Sequence, residues 1–287
     1  MPIDSITIRD ARSEDGESIF QWTQNTFSWG DYIPRIWHEW QKAGSGRLLV
    51  AEAEGRIVGN LHVAFLGNRE AWMEGMRVHP EFRKRGVATA LDLAGQQAAR
   101  AARCGVARLE TSSRNLAAQA AVATYGYRRI VELIEFHAPA LKAEPVKTRP
   151  AKTRDLSALE SMWHGSQMCR AVRGLAIMLK GWRWGELTRS RLREQIKNER
   201  VWVTPASGEP KGFAILRRDE DGLEVSLVVG RAAAACDVLT DLRAVAAQRN
   251  EKEVYLSLAA GARAKVAAAA SGYVPADHSM LLYECKL

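Results

Sequence analysis

"MEGMRVHPEFRKRGVATAL", residues 73–91, joins an apolar run to an alanine-rich helical run through the basic turn Arg83-Lys84-Arg85-Gly86. The first run predicts a strand over 71–78, which His79-Pro80 ends because proline has no N–H to give to a ladder. Leu91, Ala94 and Ala98 then share one face of a helix predicted over 86–103, with Gly105 as the stop signal beyond it. The turn therefore brings the unsatisfied N–H groups and the positive dipole end of a helix to one concavity, where glycine lets an anion approach closely. A pyrophosphate would accept several of those N–H bonds while the Arg and Lys side chains neutralise its charge. The other reading of the same residues is a solvated basic turn, which an isolated Arg-x-x-Gly-x-Ala match does not exclude.

On either side of this stretch, the first half reads as strand (6–9), helix (14–26), short helix (34–42), three strands (47–53, 57–66 and 71–78), helix (86–103), strand (106–112), helix (116–124) and strand (128–137). This is an α/β (α+β) pattern, a mixed, mostly antiparallel sheet flanked by helices. Sliding the chain on itself by 140 positions lays "ITIRDARSED" (6–15) on "VKTRPAKTRD" (146–155), pairing Arg9 with Arg149 and Asp15 with Asp155. "VAEAEGRIVGNLHV" (50–63) likewise resembles "VTPASGEPKGFAIL" (203–216) as a hairpin, and Gly126-Tyr127 resembles Gly272-Tyr273. Three landmarks in one order indicate a duplication. The prolines and charges of "KAEPVKTRP" mark the junction, giving domains at 1–141 and 147–287 with a linker at 142–146.

With 287 residues, 47% of them hydrophobic, the chain can bury two cores. A net charge of +8 suits an anionic partner without saying which. No apolar run approaches a membrane span, and the start "MPIDSITIRD" lacks the regions of a secretory signal, so a cytoplasmic protein with no membrane partner is expected. The cysteines Cys104, Cys169, Cys236 and Cys285 form neither CxxC pairs nor a disulfide ladder. His38, His62, His137 and His164 have no metal-ligand partner at helical spacing, so no metal is expected and their default roles are structural. His79 is expected to shape its loop. No nucleic-acid recognition motif accompanies the basic turn, so no nucleic-acid partner is expected either.

Arg83-x-x-Gly86-x-Ala88 after a strand resembles the acetyl-CoA signature of the GNAT acyltransferase superfamily. "MEGMRVHPEFRKRGVATAL" is similar to that family's fourth strand, pyrophosphate loop and third helix, and "TSSRNLAAQAAVATYGY" (111–127) to its following strand and helix. The second half resembles the same fold, but its "LEVSLVVGRAAAACDVLTDL" (223–242) has no basic Arg-x-x-Gly-x-Ala, implying a degenerate copy without the pyrophosphate loop. The resemblance implies tandem GNAT-like domains in one chain, a monomer imitating a two-fold pair.

For the first domain the resemblance implies acetyl-CoA as co-substrate. The backbone of Met76, Arg77 and Val78 would pair with the pantetheine arm, the amides of Arg83, Lys84, Arg85, Gly86, Val87, Ala88 and Thr89 would grip the pyrophosphate, and Asn115 would assist. The Met76 amide is the candidate oxyanion donor. By two-residue alternation Glu74 shares a strand face with Met76 and Val78, near the acceptor amine. It is the candidate base or ammonium ligand, or else a carboxylate paired with a neighbouring arginine. Many family members carry a tyrosine seven residues after the helix-starting asparagine; here that place is Val122. Tyr125, one turn on, is the candidate acid, or else a packing residue.

In the superfamily the acceptor is selected after the first helix, here "FSWGDYIPRIWHEWQKAG" (27–44). Trp29 and Tyr32 could wall a pocket and Asp31 could meet a cationic substrate, while Trp37 and Trp40, at helical spacing, fit a core equally well. "DYIP" together with "MEGMRV" resembles animal histidine N-acetyltransferases, which act on a free amino acid. The expected function is acetyl transfer to a primary amine of a small molecule or amino acid. A protein N-acetyltransferase and a non-catalytic acyl-CoA sensor are the alternatives.

Overall fold

The computed structural model describes residues 5–24, 26, 30–42, 44, 46–177, 182–219 and 222–287. Trp29, expected at the acceptor pocket, lies outside them. The chain forms two compact units.

Unit 1 comprises residues up to Glu110, Leu116–Arg128 and Tyr283–Leu287. Its elements are β1 (Thr7–Asp10), α1 (Asp15–Thr23), α2 (Ile33–Trp40), β2 (Arg47–Ala53), β3 (Arg56–Gly67), β4 (Glu70–Val78), α3 (Val87–Ala101), β5 (Val106–Ser112) and α4 (Leu116–Thr124). β1 to β4 form an antiparallel meander, and β5 runs parallel to β4. α3 packs close to β3 because Gly95 has no side chain: a Cβ there would lie 2.8 Å from Leu61 Cδ2. The opposite face is covered by α1 and α2, whose Ile19, Ile33, Trp37 and Trp40 join Leu48 and Val50 of β2 in one apolar cluster. Trp37 and Trp40 are thus core residues, as their helical spacing allows.

β4 is not regular. Its register on β3 shifts between Asn60↔Arg77 and His62↔Glu74, so Leu61 faces two residues, and Gly75 takes a φ of +67° within that bulge. No side chain would fit at Gly75, where a Cβ would lie 2.2 Å from the Trp40 ring. The extra residue inverts the alternation. Glu74 therefore does not share a face with Met76 and Val78, as strict alternation predicts; it shares one with Arg77, because their cross-strand partners His62 and Asn60 lie two apart on β3.

Unit 2 comprises Thr111–Asn115 and Arg129–Leu282. Its elements are β6 (Arg128–Pro139), β7 (Arg149–Pro150), α5 (Leu156–Gly165), α6 (Gln167–Ala171), β8 (Leu175–Ile177), β9 (Trp184–Glu186), α7 (Arg189–Lys197), β10 (Val201–Thr204), β11 (Gly212–Asp219), β12 (Gly222–Gly230), α8 (Ala232–Gln248), β13 (Glu253–Ala259), α9 (Ala264–Ala270) and β14 (Val274–Lys286). β10 to β12 repeat the antiparallel meander and β13 runs parallel to β12. Gly126 and Gly272 both adopt left-handed φ, +86° and +80°, after α4 and α9, and Tyr127 and Tyr273 behind them are buried.

The compact units divide the chain differently from the repeats. β6, which the sequence places in the first domain, pairs antiparallel with β13, from Pro139 opposite Glu253 to Leu133 opposite Ala259, and the last four residues of β14 together with Leu287 cluster with unit 1. The physical reason is strand pairing: an edge is satisfied by whichever strand reaches it, regardless of sequence order.

Candidate active site

β4 and β5 hold together only over Glu70–Trp72 against Val106–Arg108; past that point the ladder stops while β4 runs on to Val78. The divergence opens where β4 enters the basic turn. Pro80–Phe82 form a 3₁₀ turn whose cap is the His79 ring, accepting the Glu81 N–H at 3.3 Å. His79 packs edge-on to Trp22 and Phe82, so it shapes the loop. Its basicity is lowered by burial and by Arg56 and Arg83, with Glu81 acting against them.

Lys84 and Gly86 then take left-handed conformations, φ +60° and +90°, and α3 begins at Val87 with no side chain capping it. Gly86 O accepts the first helical bond, from Ala90, while the first-turn N–H groups of Val87, Ala88 and Thr89 have no intrahelical acceptor. A Cβ on Gly86 would meet only Ile6 Cδ1, at 3.8 Å, so a larger side chain there would enter the open side of the turn. Arg83 and Lys84 are exposed; Arg85 pairs with Glu54 at 2.8 Å and lies over the Phe82 ring. The residues fit an anion with several oxygen atoms.

On the α1/α2 face, Glu74 Oε1 lies 2.7 Å from His62 Nδ1, and the fully buried His62 ring stacks on Trp40 with centroids 4.6 Å apart and planes 9° from parallel. Asn60, also fully buried, donates from Nδ2 to the Gly75 carbonyl at 2.7 Å. In a trans peptide the next N–H points opposite that carbonyl, so Asn60 fixes the direction of the Met76 N–H. The Met76 carbonyl accepts from Arg77 Nη1 at 3.0 Å.

Asp31 is not available to a cationic substrate in the way the sequence suggests. Its carboxylate is buried and gripped by Arg77, with Nε 2.7 Å from Oδ2 and Nη2 3.1 Å from Oδ1, and it also caps the Ile33 N–H at 3.1 Å. Tyr32 lies edge-on to Trp40 and beneath the Arg77 guanidinium; burial raises its hydroxyl, and Glu74 is among the charges it senses. Tyr32, Asp31, Glu74 and Arg77 are thus one cluster on one face.

Tyr125 follows α4 and reaches back toward Thr89 of α3; burial pushes its hydroxyl up and the neighbouring Thr89 opposes the shift. This brings Tyr125 to the first turn of α3. Val122, at the family's usual tyrosine position, is a core residue. Asn115 closes the turn before α4 through its N–H to Ser112 O at 3.0 Å, inside the segment that clusters with unit 2.

In unit 2 the β12–β13 ladder likewise stops early, after Val225↔Leu256. There, however, β12 reaches α8 through Arg231 alone, and the positive-φ Gly230 (+149°) before it is not joined to a basic turn. A cleft of about 1290 Å³ lies at this place, bordered by Val229, Gly230, Arg231, Ala234, Lys211 and Arg263.

This geometry agrees with comparison to known proteins. Residues 16–127 match the family model described as Acetyltransferase (GNAT) family. Residues 16–127 are a GNAT domain. A GCN5-related N-acetyltransferase from Sphaerobacter thermophilus superposes over 100% of this chain and 97% of its own, with TM-score 0.68 and 17% identity. A tandem GNAT protein from the clavulanic acid biosynthesis pathway superposes over 98% of each chain, with TM-score 0.61 and 15% identity. A GNAT-family acetyltransferase from Colwellia psychrerythraea covers 98% of this chain and 100% of its own, at TM-score 0.55 and 16% identity. At these identities the structures share the fold, here two tandem GNAT-like domains. No curated protein matches the chain by sequence. The GNAT fold is that of acyl-CoA-dependent acetyltransferases and implies acetyl-CoA binding. Among the described residues no group of three His, Cys, Asp or Glu is placed to hold a metal ion, and no helix is long and apolar enough to cross a membrane.

Proposed function

We propose that the GNAT domain of unit 1 transfers the acetyl group of acetyl-CoA to a primary amine of a small molecule or amino acid, which attacks directly in a ternary complex. The observation that carries this reading is the left-handed Lys84-Arg85-Gly86 turn feeding the uncapped start of α3 where β4 leaves β5. The amides from Arg83 to Thr89 hold the pyrophosphate, with Arg83 and Lys84 screening its charge. Met76 to Val78 offer the pantetheine arm the strand edge beyond the ladder. Acetyl-CoA supplies the thioester carbonyl that the amine attacks. The Met76 N–H, held in direction by Asn60, donates to the oxygen of that carbonyl as it gains charge. Glu74 takes the ammonium proton, and Tyr125, beside Thr89 of α3, gives a proton to the leaving thiolate. Arg77, held by Asp31, presents a positive charge on the Glu74 face. That suits an acceptor bearing a carboxylate next to its amine, as a free amino acid does.

The test is a mass-shift screen of free amino acids, polyamines and peptides incubated with acetyl-CoA. Acetylation of at least one class is expected. In the Glu74→Gln protein turnover should fall by roughly two orders of magnitude, with acetyl-CoA affinity near wild type and partial recovery at high pH, where more amine arrives neutral. Tight acetyl-CoA binding with no acetylated product in any class would leave a non-catalytic acyl-CoA-binding protein.

A further inference from the structure

We propose that His62 and Glu74 act as one proton-holding dyad, in which the buried imidazole orients the Glu74 carboxylate and shares the proton that it removes from the acceptor ammonium. This rests on the acetyltransferase reading and adds a positioning residue to it.

Three observations carry the dyad. Glu74 and His62 are direct cross-strand partners, and the 2.7 Å contact between Oε1 and Nδ1 is that of a charge-assisted hydrogen bond. The Glu74 side chain is 14% exposed and that of His62 is 0% exposed, so only the carboxylate reaches the acceptor side. The imidazole lies flat on the Trp40 indole, whose π face attracts a cation, and the Glu74 carboxylate lies at its edge. A ring between an indole face and a carboxylate is equipped to carry a proton despite its burial, which alone would favour the neutral form.

Trp40 itself is fixed. It packs over Gly75, where a Cβ would lie 2.2 Å from its ring, and against Ile33 and Trp37 in the α2 cluster. The bulge at Gly75 thus closes the stack at the place where it turns Arg77 toward Glu74. The charged and titratable groups on this face are Tyr32 and Asp31, at the start of α2, and Arg77 on β4. Arg77 is paired with Asp31, and the Glu74 carboxylate is the charge that faces His62.

The step balances within the site. The acceptor R–NH₃⁺ gives a proton to Glu74, which becomes –COOH; with the neutral ring carrying its hydrogen on Nε2, that proton passes to His62 Nδ1, leaving a carboxylate beside an imidazolium. The neutral amine then uses its lone pair on the thioester carbonyl carbon. As the C–S bond breaks, its electron pair leaves on sulfur and Tyr125 protonates that thiolate. The second proton of the attacking nitrogen passes through solvent to restore Tyr125, giving the amide and the thiol, and the proton held by the dyad is released to solvent.

Histidine-labelled NMR and kinetics on the full chain test this together. The His62 resonance should titrate at lower pH in Glu74→Gln than in wild type, by about one unit or more, because the carboxylate favours the charged ring. His62→Phe should keep the stack on Trp40, lower turnover by roughly 10- to 100-fold, and move the acid limb of the pH–rate profile upward, with the KM for acetyl-CoA unchanged. His62→Gln, which restores an N–H donor without a proton acceptor, should recover part of the loss at high pH only. An unchanged His62 titration in Glu74→Gln, or variant profiles parallel to wild type at every pH, would overturn the dyad and leave His62 a packing residue. Wild-type protein that binds acetyl-CoA but transfers no acetyl group would instead overturn the reading on which the dyad rests.

Discussion

Arg9 holds both oxygens of Asp15, at 2.7 and 2.8 Å, while the same carboxylate accepts the Arg12 N–H at 2.7 Å. Arg149 and Asp155 repeat this at 2.7 and 3.0 Å, with the Lys152 N–H again at 2.7 Å. One buried carboxylate therefore locks β1 to α1, and another locks β7 to the start of α5. The Arg149 hydrogen bond holds Asp155 below the ordinary carboxylate range, against its burial. A depressed carboxylate contributes stability that is present above its unfolded pKa and lost as pH falls through its folded one. Asp155→Asn should thus cost about 1–2 kcal/mol at pH 7, and the difference should vanish near pH 2. Urea melts of both proteins at the two pH values check it, and an equal loss at both would assign the effect to packing.

That duplication was legible because it rests on local spacing: a carboxylate six residues after an arginine closes the same turn wherever it occurs. The basic turn was legible for the same reason. The face of Glu74 was not, because one extra residue at Gly75 inverts every side chain that follows and alternation cannot see a bulge. His62 and Asn60 were missed with it, since a cross-strand pair is defined by register rather than by sequence distance. Asp31 was read as an acid for a cationic substrate, but its partner Arg77 lies on a strand far along the chain and meets it only through the fold. The division into units was also hidden, because pairing of β6 with β13 leaves no mark in composition.

Gly86 should tolerate no acidic side chain if the turn holds pyrophosphate. Its φ of +90° strains any other residue, and a glutamate would put negative charge where phosphate oxygens belong. Gly86→Glu should remain folded, at a cost of roughly 1–2 kcal/mol, and lose acetyl-CoA binding. Calorimetry on wild type should give one cofactor per chain. Binding that persists in a folded Gly86→Glu protein would move the site to the cleft beside Arg231.

Asp92 of α3 predicts the opposite pH dependence to Asp155. It is fully buried, its Oδ2 accepts from Gln96 at 2.7 Å, and burial pushes it up to about 6 against the Gln96 hydrogen bond and the neighbouring Tyr127 hydroxyl. A raised carboxylate makes the folded state hold a proton that the unfolded chain has released. Stability is therefore lost as pH rises from about 4 to 6 and stays lost above that window. Asp92→Asn should raise the melting temperature at pH 7.5, by the equivalent of about 1–3 kcal/mol, and change it little at pH 4. A variant destabilised at both pH values would show that the carboxylate is needed for packing between α3 and Tyr127.

Residues 283–287 should matter to the stability of unit 1, although β14 up to Leu282 clusters with unit 2. Arg108 of β5 is buried between two carboxylates: it pairs with Glu70 and donates from Nε to Glu284 at 2.7 Å. The Leu287 N–H bonds the Gly105 carbonyl at 3.1 Å, and Cys285 is buried beside Gln96. Glu284→Gln leaves Arg108 its pair with Glu70 and should cost only about 1 kcal/mol, since the remaining carboxylate still neutralises it. Truncation after Leu282 removes the ion pair, the strand hydrogen bonds and the buried Cys285 together, so its loss should be several-fold larger. Because α3 packs against the same sheet, that truncation should also weaken acetyl-CoA binding, whereas Glu284→Gln should not. Thermal melts with and without acetyl-CoA compare the two variants. Truncated protein with wild-type melting and affinity would mean that residues 283–287 rest on unit 1 without supporting it.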